Sequence, residues 1–182
     1  MGQPPSRRAP TLTAFLCVLS CAAVTPARAA APPGPDLFGG SSYMEPGAVK
    51  LYGAHASGSV PFGGRLRLAV DLSGHYGSLG DTKHSQLTFL AGPRIVFGGR
   101  TLRPFLHALA GGVRSRSAVD VFDVSISESD TRFGAALGGG LDYGVGDRWA
   151  VRAAGDYLLV RAGGQTDGEP RVSAGVVYRF GR

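Results

Sequence analysis

The chain has 182 residues, enough for one domain of ordinary size. Glycine supplies 29 of them, about twice its usual share and outside any collagen period, while charged residues reach only 18%, so neither a disordered chain nor a helix-rich one fits. The formal charge of +6 is spread over dispersed basic residues, with no Lys/Arg run and no aromatic platform motif, which excludes a nucleic-acid-binding class.

Residues 1–29 read as a secretory leader. Arg7 and Arg8 form its basic start, Ala14–Val24 (AFLCVLSCAAV) is an apolar run too short to span a bilayer, and Ala27-Arg28-Ala29 is a small-x-small cleavage site. Cleavage between Ala29 and Ala30 is expected. Val18-Leu19-Ser20-Cys21 is a poor lipoprotein box, because Leu19 stands where a small residue is needed. Ser6-Arg7-Arg8 departs from a twin-arginine signal at Pro10. Loss of Arg7, Arg8 and Arg28 with the leader lowers the formal charge from +6 to +3. Both cysteines, Cys17 and Cys21, leave as well, so the mature chain must be stable in an oxidising compartment without disulfides. A closed barrel meets that demand, because it has no unpaired edge.

A Pro-rich lead-in, residues 30–36, precedes a domain over 37–182. A first strand is expected over Leu37–Met44 and a second over Val49–Val60, with Glu45-Pro46-Gly47 as the turn between them. Pro61-Phe62-Gly63-Gly64 reads as a tight turn. The third strand, Arg65–Tyr76, alternates most cleanly: Leu66, Leu68, Val70 and Leu72 share one face, and Arg65, Arg67, Asp71, Ser73 and His75 the other. A fourth follows over Ser85–Phe97, with Leu87, Phe89, Ala91, Ile95 and Phe97 in phase; Pro93 lacks an N–H for the ladder and predicts a bulge.

The fifth strand, Leu102–Arg114, has an ambiguous phase, with Leu102, Leu106, Ala108 and Ala110 as one option. Ser115–Asp130 is a long connection whose Val119, Val121, Val124 and Ile126 suggest strand extensions. Strands six and seven, Thr131–Gly144 and Trp149–Val160, flank a Gly-Asp turn, and the eighth covers Arg171–Phe180 (RVSAGVVYRF). In this last strand Val172, Ala174, Val176, Tyr178 and Phe180 share one face, and Arg171, Ser173, Gly175 and Arg179 the other, with Val177 as the only apolar residue there.

The connections at 61–64, 98–101 and 145–148 are short, and those at 77–84, 115–130 and 162–169 are longer and polar. That alternation is typical of bacterial outer-membrane barrels, whose inner turns are short and outer loops long. Aromatic residues near strand ends (Tyr76, Phe97, Tyr143, Trp149, Tyr157, Tyr178, Phe180) suit interfacial girdles. The stretches DLSGHYGS (Asp71–Ser78), LAGPRIVF (Leu90–Phe97), RPFLHALAGGVR (Arg103–Arg114), ALGGGLDYGVGDRWAVR (Ala136–Arg152), DYLLVR (Asp156–Arg161) and RVSAGVVYRFG together resemble the outer-membrane β-barrel domain family, the small porin-like and OmpA/OmpX-like proteins. The resemblance implies an all-β fold, an eight-stranded antiparallel up-and-down barrel inserted by the barrel-assembly machinery. It also implies that Tyr178 and Phe180 form the terminal assembly signal, displaced two residues from the end by Gly181 and Arg182. The partners expected are outer-membrane lipid and that machinery, with no nucleic acid, and the chain is expected to be a monomer.

The polar faces collect Arg65, Arg67, Asp71, His75, Arg94, Asp142, Arg152, Asp156, Arg171 and Arg179. An Arg at the bilayer midplane costs about 2–4 kcal/mol on the lipid face, so these residues are assigned to a structural charge network in the lumen. Gly138 and Gly140 leave room for water beside them, which keeps a narrow polar pathway as an alternative. His55, His75, His84 and His107 show no metal-ligand spacing, and no metal, cofactor or catalytic residue is assigned. His75 with Ser73 or Ser78 is the only hydrolase-like pair, with no third group to orient it. Asp120, Asp123, Glu128 and Asp130 could form a weak site bridging a calcium ion or lipopolysaccharide, but a solvated loop face is the better explanation. The expected function is structural or surface-interacting, without catalysis. The alternatives are a narrow passive channel, a soluble periplasmic ligand-binding barrel and a lipid-modifying outer-membrane enzyme.

Overall fold

The computed structural model describes residues 34–46, 49–79, 82–99, 101–121, 124–162 and 165–181. The Ala29–Ala30 cleavage site therefore lies outside the described residues. Eight strands follow one another: β1 Asp36–Met44, β2 Leu51–Gly63, β3 Leu66–Leu79, β4 Thr82–Val96, β5 Leu102–Val121, β6 Val124–Gly144, β7 Trp149–Ala162 and β8 Gln165–Arg179. Each pairs antiparallel with its neighbour, and β1 pairs with β8 from Asp36↔Arg179 to Met44↔Arg171, closing the barrel. Every strand thus has two partners, which removes the free edges that an open sheet would present.

Alternation sets the two faces. Leu68, Val70 and Leu72 on β3, Leu87 and Phe89 on β4, and Val172 and Val176 on β8 point outward and are exposed. From Leu66 to Tyr76 the outward side chains form an apolar run spanning eleven residues. At about 3.3 Å per residue and a tilt near 40°, that run covers roughly 25 Å, the height of the apolar band of a transmembrane barrel. Exposed rings border the band: Phe62, Tyr143, Trp149 and Phe180 toward one end, and Tyr52, Tyr76 and Tyr157 toward the other. The outward direction of β3, β4 and β8 excludes the soluble ligand-binding barrel, which needs those apolar faces inside.

The short turns after β2, β4 and β6 lie at the same end as the start of β1 and the end of β8. Phe97 N donates to Pro104 O at 2.8 Å, and Val145 N to Trp149 O at 3.0 Å, tightening two of these turns. β2 runs through Pro61 to Gly63, with its register shift between those two residues, and the turn proper is Gly64-Arg65. Gly64 has φ +55°, a left-handed conformation that glycine adopts without strain. Arg65 is consequently a turn residue with an exposed side chain, outside the interior face to which simple alternation assigned it.

Three other expectations change. β1 begins at Asp36, so the Pro-rich lead-in ends within the first strand. Pro93 causes no bulge: Ala91↔Ala110 and Arg94↔His107 keep one register across it, and the ladder to β5 is merely interrupted at Gly92 and Pro93. The far-end connections are shorter than expected because strands invade them. β5 and β6 stay paired as far as Val121↔Val124, β3 and β4 as far as Leu79↔Thr82, and β7 and β8 as far as Ala162↔Gln165.

Candidate functional site

The inner faces of the strands carry the polar residues, and their side chains fill the lumen in three layers. Toward the turn end lies an arginine-rich layer. Asp36 accepts from Ser59 Oγ at 3.0 Å and pairs with Arg67 Nη2 at 3.1 Å. Arg67 also donates from Nε to Ser59 Oγ at 2.7 Å and from Nη2 to the Gly34 carbonyl at 2.8 Å. Register makes Asp142 and Arg152 cross-strand neighbours, and Arg152 grips both carboxylate oxygens, Nε to Oδ1 at 2.6 Å and Nη2 to Oδ2 at 3.0 Å. The Phe105 ring receives two cations, Arg94 at 4.8 Å and Arg152 at 4.7 Å from its centroid.

The middle layer centres on Arg171. It holds Asp156 with Nε and Nη2, and its Nη1 reaches Asp71 Oδ1 at 3.1 Å and Ser73 Oγ at 2.8 Å. His55 Nε2 lies 2.5 Å from Asp71 Oδ2, and His107 Nε2 lies 3.7 Å from Asp156 Oδ2. Arg171 is 1% exposed and His75 fully buried, so solvent screens these charges little.

Toward the far end the lumen becomes apolar. Met44, Leu51, Leu90, Leu109, Val113 and Leu158 form one buried cluster. Gln86 and Glu169, joined at 3.1 Å, are the polar contact at that level. A second, smaller cluster of Phe38, Ala150 and Val177 accounts for the apolar residue on the inner face of β8.

The structure buries Arg67, Asp71, His75, Arg94, Asp142, Arg152, Asp156, Arg171 and Arg179 in this interior, and leaves Arg65 outside it. Asp36, His55, Arg103 and His107 join them, four residues the sequence reading did not assign to the lumen. Asp36 was hidden by its prolines. His55 and His107 lie on strands whose phase the small residues blur. Arg103 shares odd numbering with Phe105, His107 and Leu109, so two apolar residues on the inner face concealed the polar phase. His75 pairs neither with Ser73 nor with Ser78: its Nε2 lies 2.7 Å from Ser42 Oγ, Ser73 takes a bond from Arg171, and His75 Nδ1 has no hydrogen-bond partner.

Gly138 and Gly140 do not open a water space. A Cβ at Gly138 would collide with the Asp156 side chain, and one at Gly140 with Phe105 and Ala154. Their lack of side chains is what admits those neighbours. Among the described residues no group of three or more His, Cys, Asp or Glu is arranged to hold a metal. The side chains of Asp120, Asp123 and Glu128 lie outside the described residues; Asp130, which is described, pairs with Arg132 at 2.7 Å.

An outward apolar band, ringed aromatics, a closed ladder and an ion-paired interior define a small transmembrane barrel of the outer-membrane type. The chain belongs to the outer membrane protein beta-barrel domain family, whose model matches residues 13–180, and it resides in the outer membrane. Among solved structures, Neisserial surface protein A is similar with a TM-score of 0.66 at 20% identity, covering 84% of this chain and 100% of that one. The attachment invasion locus protein of Yersinia pestis gives 0.57 at 15% identity over 81% and 97%. The outer membrane enzyme PagL gives 0.52 at 18% identity over 78% and 98%. No curated protein matches the chain in sequence. At these identities the likeness establishes the fold, and the fold accommodates an enzyme as well as surface proteins.

Proposed function

We propose that this protein is a non-catalytic, monomeric outer-membrane barrel acting as a structural and surface-interacting component through its outer hairpins. The observation that carries this reading is the β5–β6 hairpin. Its strands are 20 and 21 residues long. The outward apolar residues stop near Gly112 and Phe133, and pairing continues to Val121↔Val124. Nine further paired positions on each strand, at about 3.3 Å each and the same tilt near 40°, carry the tip roughly 23 Å beyond the apolar band. A lipid-embedded anchor has no need of such a projection, whereas a contact surface has.

The filled interior supports a non-conducting role, since nearly every inward side chain among the described residues is buried among others. The lone Ser42–His75 contact, with Nδ1 unengaged, gives no support to a lipid-modifying enzyme. Similar folds occur in proteins named for the cell surface and for attachment. The test is replacement of residues 115–130 by a four-residue turn. The shortened barrel is expected to keep its membrane level and heat-modifiable gel mobility while the cells lose attachment to surfaces. Unchanged attachment, or single-channel conductance from the reconstituted protein, would overturn the reading.

A further inference from the structure

A row of tyrosines on the outer wall of the barrel has a gap. Tyr43, Tyr52 and Tyr76 stand opposite one another on β1, β2 and β3. The same row continues through Ser85 on β4 to Arg116 on β5. All five share the outward parity of their strands. Where the small Ser85 takes the place of a ring, a cleft of about 510 Å³ opens between Tyr76 and Arg116. Ser78 and Lys83, facing each other one outward position further from the membrane centre, complete its rim.

The cleft faces sideways along the membrane plane, at the height where the apolar run of β3 ends in Tyr76. It lies at the end opposite the chain termini, which in barrels of this kind is the outer side. Toward the membrane centre from it, Leu72, Leu87 and Phe89 are exposed. Arg114, also exposed, stands beside Leu87. Lys83, Arg114 and Arg116 thus bring three cations to one stretch of lipid-facing wall on β4 and β5. Lys83 and Arg116 also have contacts within the protein, so what they bring to the cleft is charge and direction, not unmet bonds. Long basic side chains at this depth lay their stems on apolar surface and reach toward the headgroups, where anionic lipid attracts them.

We propose that this cleft binds the phosphate of a lipid in the outer leaflet, with Arg116 and Lys83 on the phosphate and the lipid chains lying on Leu72, Leu87 and Phe89. The planar fork of a guanidinium matches two phosphate oxygens, and an ammonium adds a compact charge. The hydroxyls of Ser78 and Ser85 are donors for the remaining oxygens. Two features select a lipid over a soluble anion. The apolar wall continues from the cleft without a break, and the outward parity of the lining residues opens the cleft to the bilayer and not to the lumen. The site does not depend on the role proposed for the outer hairpins.

The test uses the full mature protein in phosphatidylcholine nanodiscs containing a minor fraction of phosphatidic acid, a lipid with a phosphomonoester headgroup. Lipids that stay with the barrel are counted by native mass spectrometry. Phosphatidic acid is expected to be retained in excess of its share. Arg116→Gln and Lys83→Gln are each expected to lower that excess about fivefold, which is what one basic residue near an anionic lipid surface contributes. Arg116→Lys, which keeps the charge and loses the fork, should lower it less. Arg161→Gln, at an exposed arginine on the outward face of β7, should leave it unchanged. Heat-modifiable gel mobility of each variant separates lost binding from a lost fold. Retention of phosphatidic acid by the unmodified protein at no more than its share overturns the proposal. So does an equal fall with Arg161→Gln, which would be general surface attraction. Displacement of phosphatidic acid by inorganic phosphate, beyond that caused by sodium chloride at matched ionic strength, would make a soluble anion the occupant and overturns it as well.

Discussion

Arg171 clasps Asp156 from the adjacent strand with two parallel bonds, Nε to Oδ1 at 2.9 Å and Nη2 to Oδ2 at 3.1 Å. Its third nitrogen crosses the lumen to Asp71 on β3, so one side chain ties β8 to β7 and to the opposite wall. Removing it leaves two buried carboxylates without their cation. Arg171→Leu is expected to destabilise the barrel by about 3–5 kcal/mol, the usual cost of breaking one partner out of a buried pair. Arg171→Lys should fall between the two, because an ammonium cannot hold both oxygens of Asp156 in parallel. Urea unfolding in lipid vesicles, followed by gel mobility, measures both; an unchanged midpoint in Arg171→Leu would contradict the assignment of this residue as the tie.

Val70 lies halfway along the outward apolar run of β3, and Leu66 at its end next to the turn. An arginine at Val70 should cost about 2–4 kcal/mol, and at Leu66 about 0–1 kcal/mol, because the charge at the end reaches the headgroups. The difference between the two variants in vesicle unfolding is the readout, and equal costs would mean that the lipid band is placed wrongly.

Gly138 and Gly112 both lie within β strands but differ in their surroundings. A Cβ at Gly138 meets Asp156 and the Gly155 carbonyl, and one at Gly112 meets nothing within 4 Å. Gly138→Val is therefore expected to abolish the heat-modifiable form, and Gly112→Ala to preserve it with full membrane yield. Normal mobility of Gly138→Val would show that β6 and β7 can separate without loss of the barrel.

Three rings pack edge to face at the inner end of the barrel: Trp149 against Tyr178 at 4.9 Å, and Tyr178 against Phe180 at 4.8 Å between centroids. Phe180 also donates its N–H to Pro35 O at 2.8 Å, securing the end of β8 beside the start of β1. Phe180→Ala is expected to impair assembly far more than deletion of Gly181 and Arg182. Quantified membrane levels of the two variants separate these outcomes, and equal levels would remove Phe180 from the terminal signal.

The legibility of this chain followed side-chain contrast. On β3, β4 and β8 the outward residues are large and apolar and the inward ones charged, so strand, face and closure could be read from parity alone. On β1 and β2 the faces are occupied by Gly, Ser and Ala on both sides, and neither the start at Asp36 nor the inward direction of His55 was visible. β5 was obscured for the opposite reason: Phe105 and Leu109 are apolar residues facing inward, where they pack beside Arg94 and in the far-end cluster. Strand lengths were underestimated wherever polar sequence continued beyond the lipid, because pairing between neighbours needs no apolar face once water surrounds both sides. The partner of His75 was beyond reach in principle, since Ser42 reaches it only through the curvature that brings β1 near β3.

The two kinds of seam in this barrel differ in what they ask of an unfolded chain. β5 and β6 meet through a link of two residues, and their long ladder can grow outward from that link. β1 and β8 meet only after nearly the whole domain has been gathered between them, and their facing residues around Gly39-Gly40-Ser41-Ser42 and Ala174-Gly175 offer little side-chain bulk. The entropy of closing so long a loop is set against few compensating contacts until the ladder is complete. The rate of formation of the whole barrel should therefore respond to substitutions along β1 and β8 and be insensitive to those near the β5–β6 tip, which places the kinetic bottleneck at the joint where the first and last strands find each other.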